Sequence, residues 1–266
     1  MKTLIWLVCI GGAVYGAYRY AVSPGCGGRG ALACPDPALE QGVGDGVSAA
    51  EVCPRSGYLC AELGRNFQLA RWPLEKGKLR VRVNLPEFAT GEEALRIRAA
   101  AIEGIMAWDR RPFPLVIDTD RFTVRMWDVR VVWTQGLYVE AGGVLHRQVE
   151  IDGKRIKYSV NGLAIVVPPT SPIEAFVAQG MPAEIAAALR DQLPGPAPGA
   201  EAAMLDRVRA VASHEMGHAL GLGHSDSEGD IMSPALLAGP KQRRVSARDF
   251  RTVEALYALP NGAMVQ

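Results

Sequence analysis

Residues 214 to 224 read His-Glu-Met-Gly-His-Ala-Leu-Gly-Leu-Gly-His. On a helix, His214 and His218 project from one face a turn apart, so both imidazoles can reach a single ion. Glu215 lies beside His214 and can take the proton of a water held at that ion, which is the work of a general base. A hydrolytic zinc site keeps three protein ligands and one open position for water, and His224 is the candidate for the third. To bring it back, the helix must stop after His218 and the chain must turn sharply. Gly221 and Gly223 permit this, because glycine accepts the left-handed conformation at a helix end. Three of the chain's 4 histidines fall in this window, which argues against unrelated surface or core histidines.

These residues need elements to hold them. A long helix over 200–222 is predicted to carry the motif. Upstream, Leu79 to Leu85 alternates apolar and polar residues and stops at Pro86, the pattern of a half-buried strand. Thr90 can cap a helix over 91–111 whose stripe of Leu95, Ile97, Ala101, Ile102, Ile105 and Trp108 reads as core. Strands are expected at 115–118, 122–134, 144–151 and 157–167, with Asp152-Gly153 as a hairpin turn. Pro168-Pro169 and the Pro/Gly run at 194–199 bracket a short helical pattern at 183–193, read as an inserted excursion over about 168–199. A last helix over 246–257 opens with Ser246-Ala247-Arg248-Asp249, a capping pattern. Strand, helix, strands and helix in this order predict an α+β fold.

The 266 residues are 48% hydrophobic, enough for one principal core. A formal charge of +1 gives no field to gather nucleic acid, so no nucleic-acid partner is expected. Lys2 followed by the apolar run Leu4 to Tyr18 has the shape of a secretory segment, so residues 1–22 are expected to be a signal peptide or N-terminal anchor. The protein is therefore expected outside the cytoplasm, with a membrane contact only through that anchor. Of the 5 cysteines, Cys9 lies in the apolar run, while Cys26, Cys34, Cys53 and Cys60 fall in a Gly/Pro/Cys-rich segment over 23–76. An even set in an exported segment suggests two disulfides, with three connectivities open. The catalytic domain is expected over 77–266.

The motif resembles the metzincin zinc peptidases, whose signature is His-Glu-x-x-His-x-x-Gly-x-x-His. His224-Ser225 followed by Asp230-Ile231-Met232-Ser233-Pro234 is similar to the matrixin branch. The segment Ala141 to His146 resembles the matrixin edge strand, and Val245 to Tyr257 its C-terminal helix. The likeness covers about 77–260 and is specific in its last third. It implies a twisted mixed sheet with an active-site helix and a C-terminal helix, zinc on His214, His218 and His224, and Glu215 as base. It implies that Met232 forms the apolar Met-turn beneath the ion, that an extended substrate pairs with the edge strand near Gly143 to Val149, and that Pro234 to Leu236 line the pocket beyond the cut. Only His146 remains outside the motif, so one zinc is expected where matrixins usually hold two. Calcium is also implied by the likeness, without placed ligands. Leu236 stands where the family usually has a tyrosine, which affects pocket depth. Cys34-Pro35-Asp36 faintly echoes the family's inhibitory cysteine segment, but a disulfide is the stronger reading of these cysteines.

The function these readings predict is a zinc-dependent endopeptidase acting on protein or peptide substrates. Two other readings share the site: a zinc-stabilised module that binds proteins without cutting them, and a zinc amidase acting on cell-wall peptides. The sequence leaves the oligomeric state open.

Overall fold

The computed structural model describes residues 46–61, 67–109, 114–120, 127–136, 143–152, 155–234, 244–259 and 261–266. Its elements in chain order are β1 (Gly46–Val47), α1 (Ala49–Val52), β2 (Phe67–Gln68), β3 (Leu79–Arg82), α2 (Gly91–Met106), β4 (Leu115–Asp118), β5 (Val129–Gln135), β6 (Gly143–Asp152), β7 (Arg155–Val167), α3 (Pro172–Ala178), α4 (Ala183–Leu189), α5 (Ala200–Ala219), α6 (Ala247–Ala258) and β8 (Met264–Val265). This is an α+β fold. The signal or anchor segment, Cys9, Cys26, Cys34, Leu236 and the turn residue Gly153 lie outside the described residues.

Alternation places Leu79 and Val81 of β3 fully inside, and Ile165 and Leu163 of β7 likewise. The main sheet has the order β4-β3-β5-β7-β6. β3 runs parallel to β4 and β5, β5 runs parallel to β7, and β6 closes the sheet as an antiparallel edge strand. The edge position predicted for 143–149 is therefore met. Asp152 pairs with Arg155, so the two strands are joined by a two-residue connection. β5 begins at Val129, and residues 122–126 of the expected strand lie outside the described residues.

α2 packs against α5, and α5 packs on β7. The predicted stripe on α2 is partly corrected: Leu95 is 47% exposed, and the buried face is Ala94, Ile97, Ala100, Ala101, Gly104 and Ile105. Small residues on that face let α5 come close, leaving the larger Leu95 outside. Thr90 is extended as an N-cap should be, but its side chain makes no cap bond.

The segment over 168–199 holds two helices, not one. α3 was unforeseen, although its signals are local: Ser171 Oγ accepts from Glu174 N at 3.3 Å, Pro172 occupies the first turn, and Glu174 Oε2 accepts from Thr170 N at 2.6 Å. The expected capping box of α6 is present, with Ser246 Oγ accepting from Asp249 N at 3.0 Å and Asp249 Oδ2 accepting from Ser246 N at 2.7 Å.

One compact unit runs from Gly44 to Gln266 and includes the described residues between 46 and 76. β8 pairs with β1 in parallel and with β2 antiparallel, forming a small sheet from the two ends of this unit. Cys53 and Cys60 form a disulfide.

Candidate active site

α5 carries His214, Glu215 and His218 and stops at Ala219. The stop is local chemistry. Gly221 adopts φ +105°, Leu222 N donates to Gly217 O at 3.1 Å, and Gly221 N donates to His218 O at 3.0 Å, a Schellman turn that reverses the chain. Gly221 alone performs the reversal; Gly223, read as a partner in it, shows no left-handed φ. The chain then returns His224 to the first two histidines.

The ligand atoms of His214, His218 and His224 lie within 4.8 Å of one another. His214 Nδ1 donates to Ile231 O at 2.7 Å, and His218 Nδ1 donates to Leu222 O at 2.9 Å. A carbonyl can only accept, so each of these rings carries its proton on Nδ1 and turns the Nε2 lone pair inward. The two Nε2 atoms are 3.1 Å apart. Tetrahedral zinc with bonds of about 2.0–2.1 Å sets its nitrogen ligands roughly 3.3 Å apart, so the donor set fits this ion. Two inward lone pairs at such a distance repel unless a cation lies between them.

Glu215 is 4% exposed, and its Oε2 has no hydrogen-bond partner. Burial pushes its carboxyl up to about 8. A dication on the adjacent imidazoles would favour the ionised form, so the two effects oppose each other at this carboxylate. A buried carboxylate with an unpaired oxygen beside a candidate cation site can accept a proton.

Met232 is fully buried and packs against Gly217, where an added Cβ would overlap Met232 Sδ and lie 2.9 Å from Trp108 Cζ2. Ser225 N donates to Met232 O at 2.8 Å, tying the turn to the residue after His224. Asp230 links the same parts: its carboxylate accepts from Ser225 Oγ at 2.5 Å, Ser246 Oγ at 2.7 Å and Arg248 Nη1 at 3.0 Å. His146, the remaining histidine, is on β6.

Several supporting residues carry no sequence signal of this role. Tyr58, inside the disulfide-closed loop, donates to Asp249 Oδ1 at 2.7 Å. Asp249 Oδ2 accepts from Ile231 N at 3.0 Å, and Ile231 O is the acceptor for His214. Asp249 thus caps α6 and also holds the turn that orients His214. Its capping pattern was legible; its second partner was not. Tyr58 and Trp72 fall in a stretch without periodicity, where only the final contacts reveal them.

Residues 170–258 match the model of the matrixin family of M10 peptidases. The match begins inside the segment that holds α3 and α4 and ends with α6. The chain is also similar to metalloendoproteinase 5-MMP of Arabidopsis thaliana, 43% identical over 56 residues, 21% of this chain and 16% of that protein. Metalloendoproteinases 2-MMP and 1-MMP of the same plant are 42% and 43% identical over 55 and 54 residues, each 20% of this chain and 15% of the relative. The chain thus covers about a sixth of the length of the relatives it matches.

Proposed function

We propose that the matrixin-like metzincin domain of this chain is a zinc-dependent endopeptidase. The observation that carries this is the convergence of three histidines, two of them with Nε2 turned inward by carbonyl-bound Nδ1 atoms, beside a buried carboxylate that has a free oxygen. Zinc at this position would supply Lewis acidity, acidifying water and polarising a carbonyl oxygen. One such ion is proposed, on His214, His218 and His224.

Glu215 acts as the general base, drawing the proton from the attacking water onto its unpaired Oε2. Its burial favours the protonated form, so the same carboxyl can pass that proton to the leaving amine. Substrate lies extended along β6, whose outer edge has no neighbouring strand among the described residues and can add one. Backbone pairing of this kind reads the extended shape of a peptide rather than its side chains, which suits protein substrates with specificity set elsewhere. An exported location is supported by the Cys53–Cys60 disulfide, since such bonds persist in oxidising compartments.

The test is proteolysis of an unfolded protein by the full chain, with and without a chelator, beside Glu215→Ala. Cleavage should vanish with the chelator and return with zinc. Glu215→Ala should bind zinc yet turn over about 10²–10⁴-fold more slowly. A zinc-loaded wild type that cuts neither denatured proteins nor a peptide library would refute the reading.

A further inference from the structure

The end of α5 carries two of the proposed ligands or their supports, so the way its terminal carbonyls are filled bears on the site. A helix end leaves its last carbonyls without intrahelical donors, and buried ones need partners. The Schellman turn here fills those of Gly217 and His218. By its geometry it does not reach the next two.

Those two are filled from outside the helix. Trp72 Nε1 donates to Ala219 O at 2.8 Å, and Tyr257 Oη donates to Leu220 O at 2.9 Å. Tyr158 Oη adds a second donor to His218 O at 2.9 Å. The three come from the segment before β3, from α6 and from β7, and all are buried. They also brace one another: the Trp72 and Tyr158 rings meet edge to face at 5.4 Å, and the Arg71 guanidinium lies 5.2 Å over Tyr257. Burial pushes the Tyr257 hydroxyl well above its ordinary range, so it remains a donor.

We propose that Trp72 and Tyr257, assisted by Tyr158, are positioning residues for the metal centre, a side-chain cap that fixes the turn from Ala219 to Leu222 and thereby sets His218 and His224. The link to His218 is direct, because its Nδ1 donates to Leu222 O within that turn. His224 leaves the same turn two residues later. The segment around Trp72 is itself anchored: Arg71 N donates to Asn261 Oδ1 at 3.1 Å, and Arg71 Nη2 donates to Leu259 O at 2.6 Å. A residue far upstream of the motif therefore acts on its second and third histidines. This inference rests on the zinc reading of the histidine triad.

The test uses the full chain with Trp72→Phe and, separately, Tyr257→Phe, each of which removes one donor and keeps an aromatic ring. Zinc affinity is measured by competition with a chromogenic chelator, ligand geometry by the visible bands of the cobalt-substituted protein, and stability by the metal-free thermal midpoint. Both variants should bind zinc about ten- to a hundredfold more weakly, the usual effect of losing an outer support of a metal ligand, and should show altered cobalt bands. Wild-type zinc affinity together with wild-type cobalt bands in both variants would overturn the proposal, whatever the midpoint, since that pattern marks a purely structural role. Should Trp72→Phe not fold, Tyr257→Phe decides alone, because it deletes a single oxygen. A wild type that binds no zinc would overturn the proposed function along with this inference, whereas a binding wild type with unaffected variants sinks only the cap.

Discussion

Gly217 offers the sharpest test of how the active-site helix and the Met232 turn are fitted together. Replacing it with Ala should help the helix by about 1 kcal/mol, because glycine is a poor helix former. The new methyl, however, would overlap Met232 Sδ and sit 2.9 Å from Trp108 Cζ2. Neither neighbour can yield easily. Met232 is fully buried, and the Trp108 indole is tied by its N–H to Ser213 O at 2.7 Å. Overpacking of this kind costs about 1–3 kcal/mol, and a site enclosed on both sides belongs at the upper end. The net expectation is a loss of about 1–2 kcal/mol, or roughly 2–8 °C in thermal midpoint for a domain of this size. Displacing Met232 also disturbs Ile231, whose carbonyl orients His214 at 2.7 Å, so zinc affinity should fall about tenfold. Thermal unfolding in chelator and a zinc competition titration measure the two effects. A Gly217→Ala protein as stable as the parent, with the same zinc affinity, would show that packing against Met232 does not require glycine.

Gly221→Ala should be destabilising by about 1–3 kcal/mol in denaturant unfolding, because φ is +105° and the added Cβ would lie 2.8 Å from Ala70 O. Tyr58→Phe removes a bond to a carboxylate and should cost about 1.5–3 kcal/mol by the same measurement. Asp230 predicts an acid limb in stability. Burial raises its carboxyl, but hydrogen bonds from Ser225, Ser246 and Arg248 outweigh this and hold it below the ordinary value. Its contribution is then fully present above the unfolded value of about 3.9 and is lost as pH falls through the lower folded value. Urea unfolding of the metal-free protein should show stability declining in that range, and Asp230→Asn should flatten the decline. An unchanged pH profile in that variant would remove Asp230 from the account.

The local features of the site could be read in the sequence because they depend on spacing. A four-residue interval puts His214 and His218 on one helical face, and glycine at 221 permits the turn that returns His224. The capping box of α6 followed from a pattern of the same short range, whereas the edge position of β6 came from the likeness to the matrixins. What spacing cannot carry is the partner of a side chain distant in sequence. Trp72 meets Ala219 and Tyr58 meets Asp249 only after the sheet and both helices are in place. Leu95 departs from the expected stripe for a related reason. Hydrophobicity alone put it on the inner stripe, but the close approach of α5 favours the alanines of α2 there. α3 departs from the expected single helical pattern at 183–193, although its Ser171-Pro172 start is a local signal.

The small sheet joining β1, β8 and β2 has a consequence for the order of events during synthesis. Chains emerge from their N-terminus. Gly46–Val47 and Phe67–Gln68 therefore wait without a partner until Met264–Val265 is available, as do the bonds from Arg71 to Leu259 and Asn261. The segment that carries Trp72 can settle onto the ligand turn only then. Completion of the support proposed for the histidine triad is thus coupled to completion of the domain, so a partly made chain lacks it.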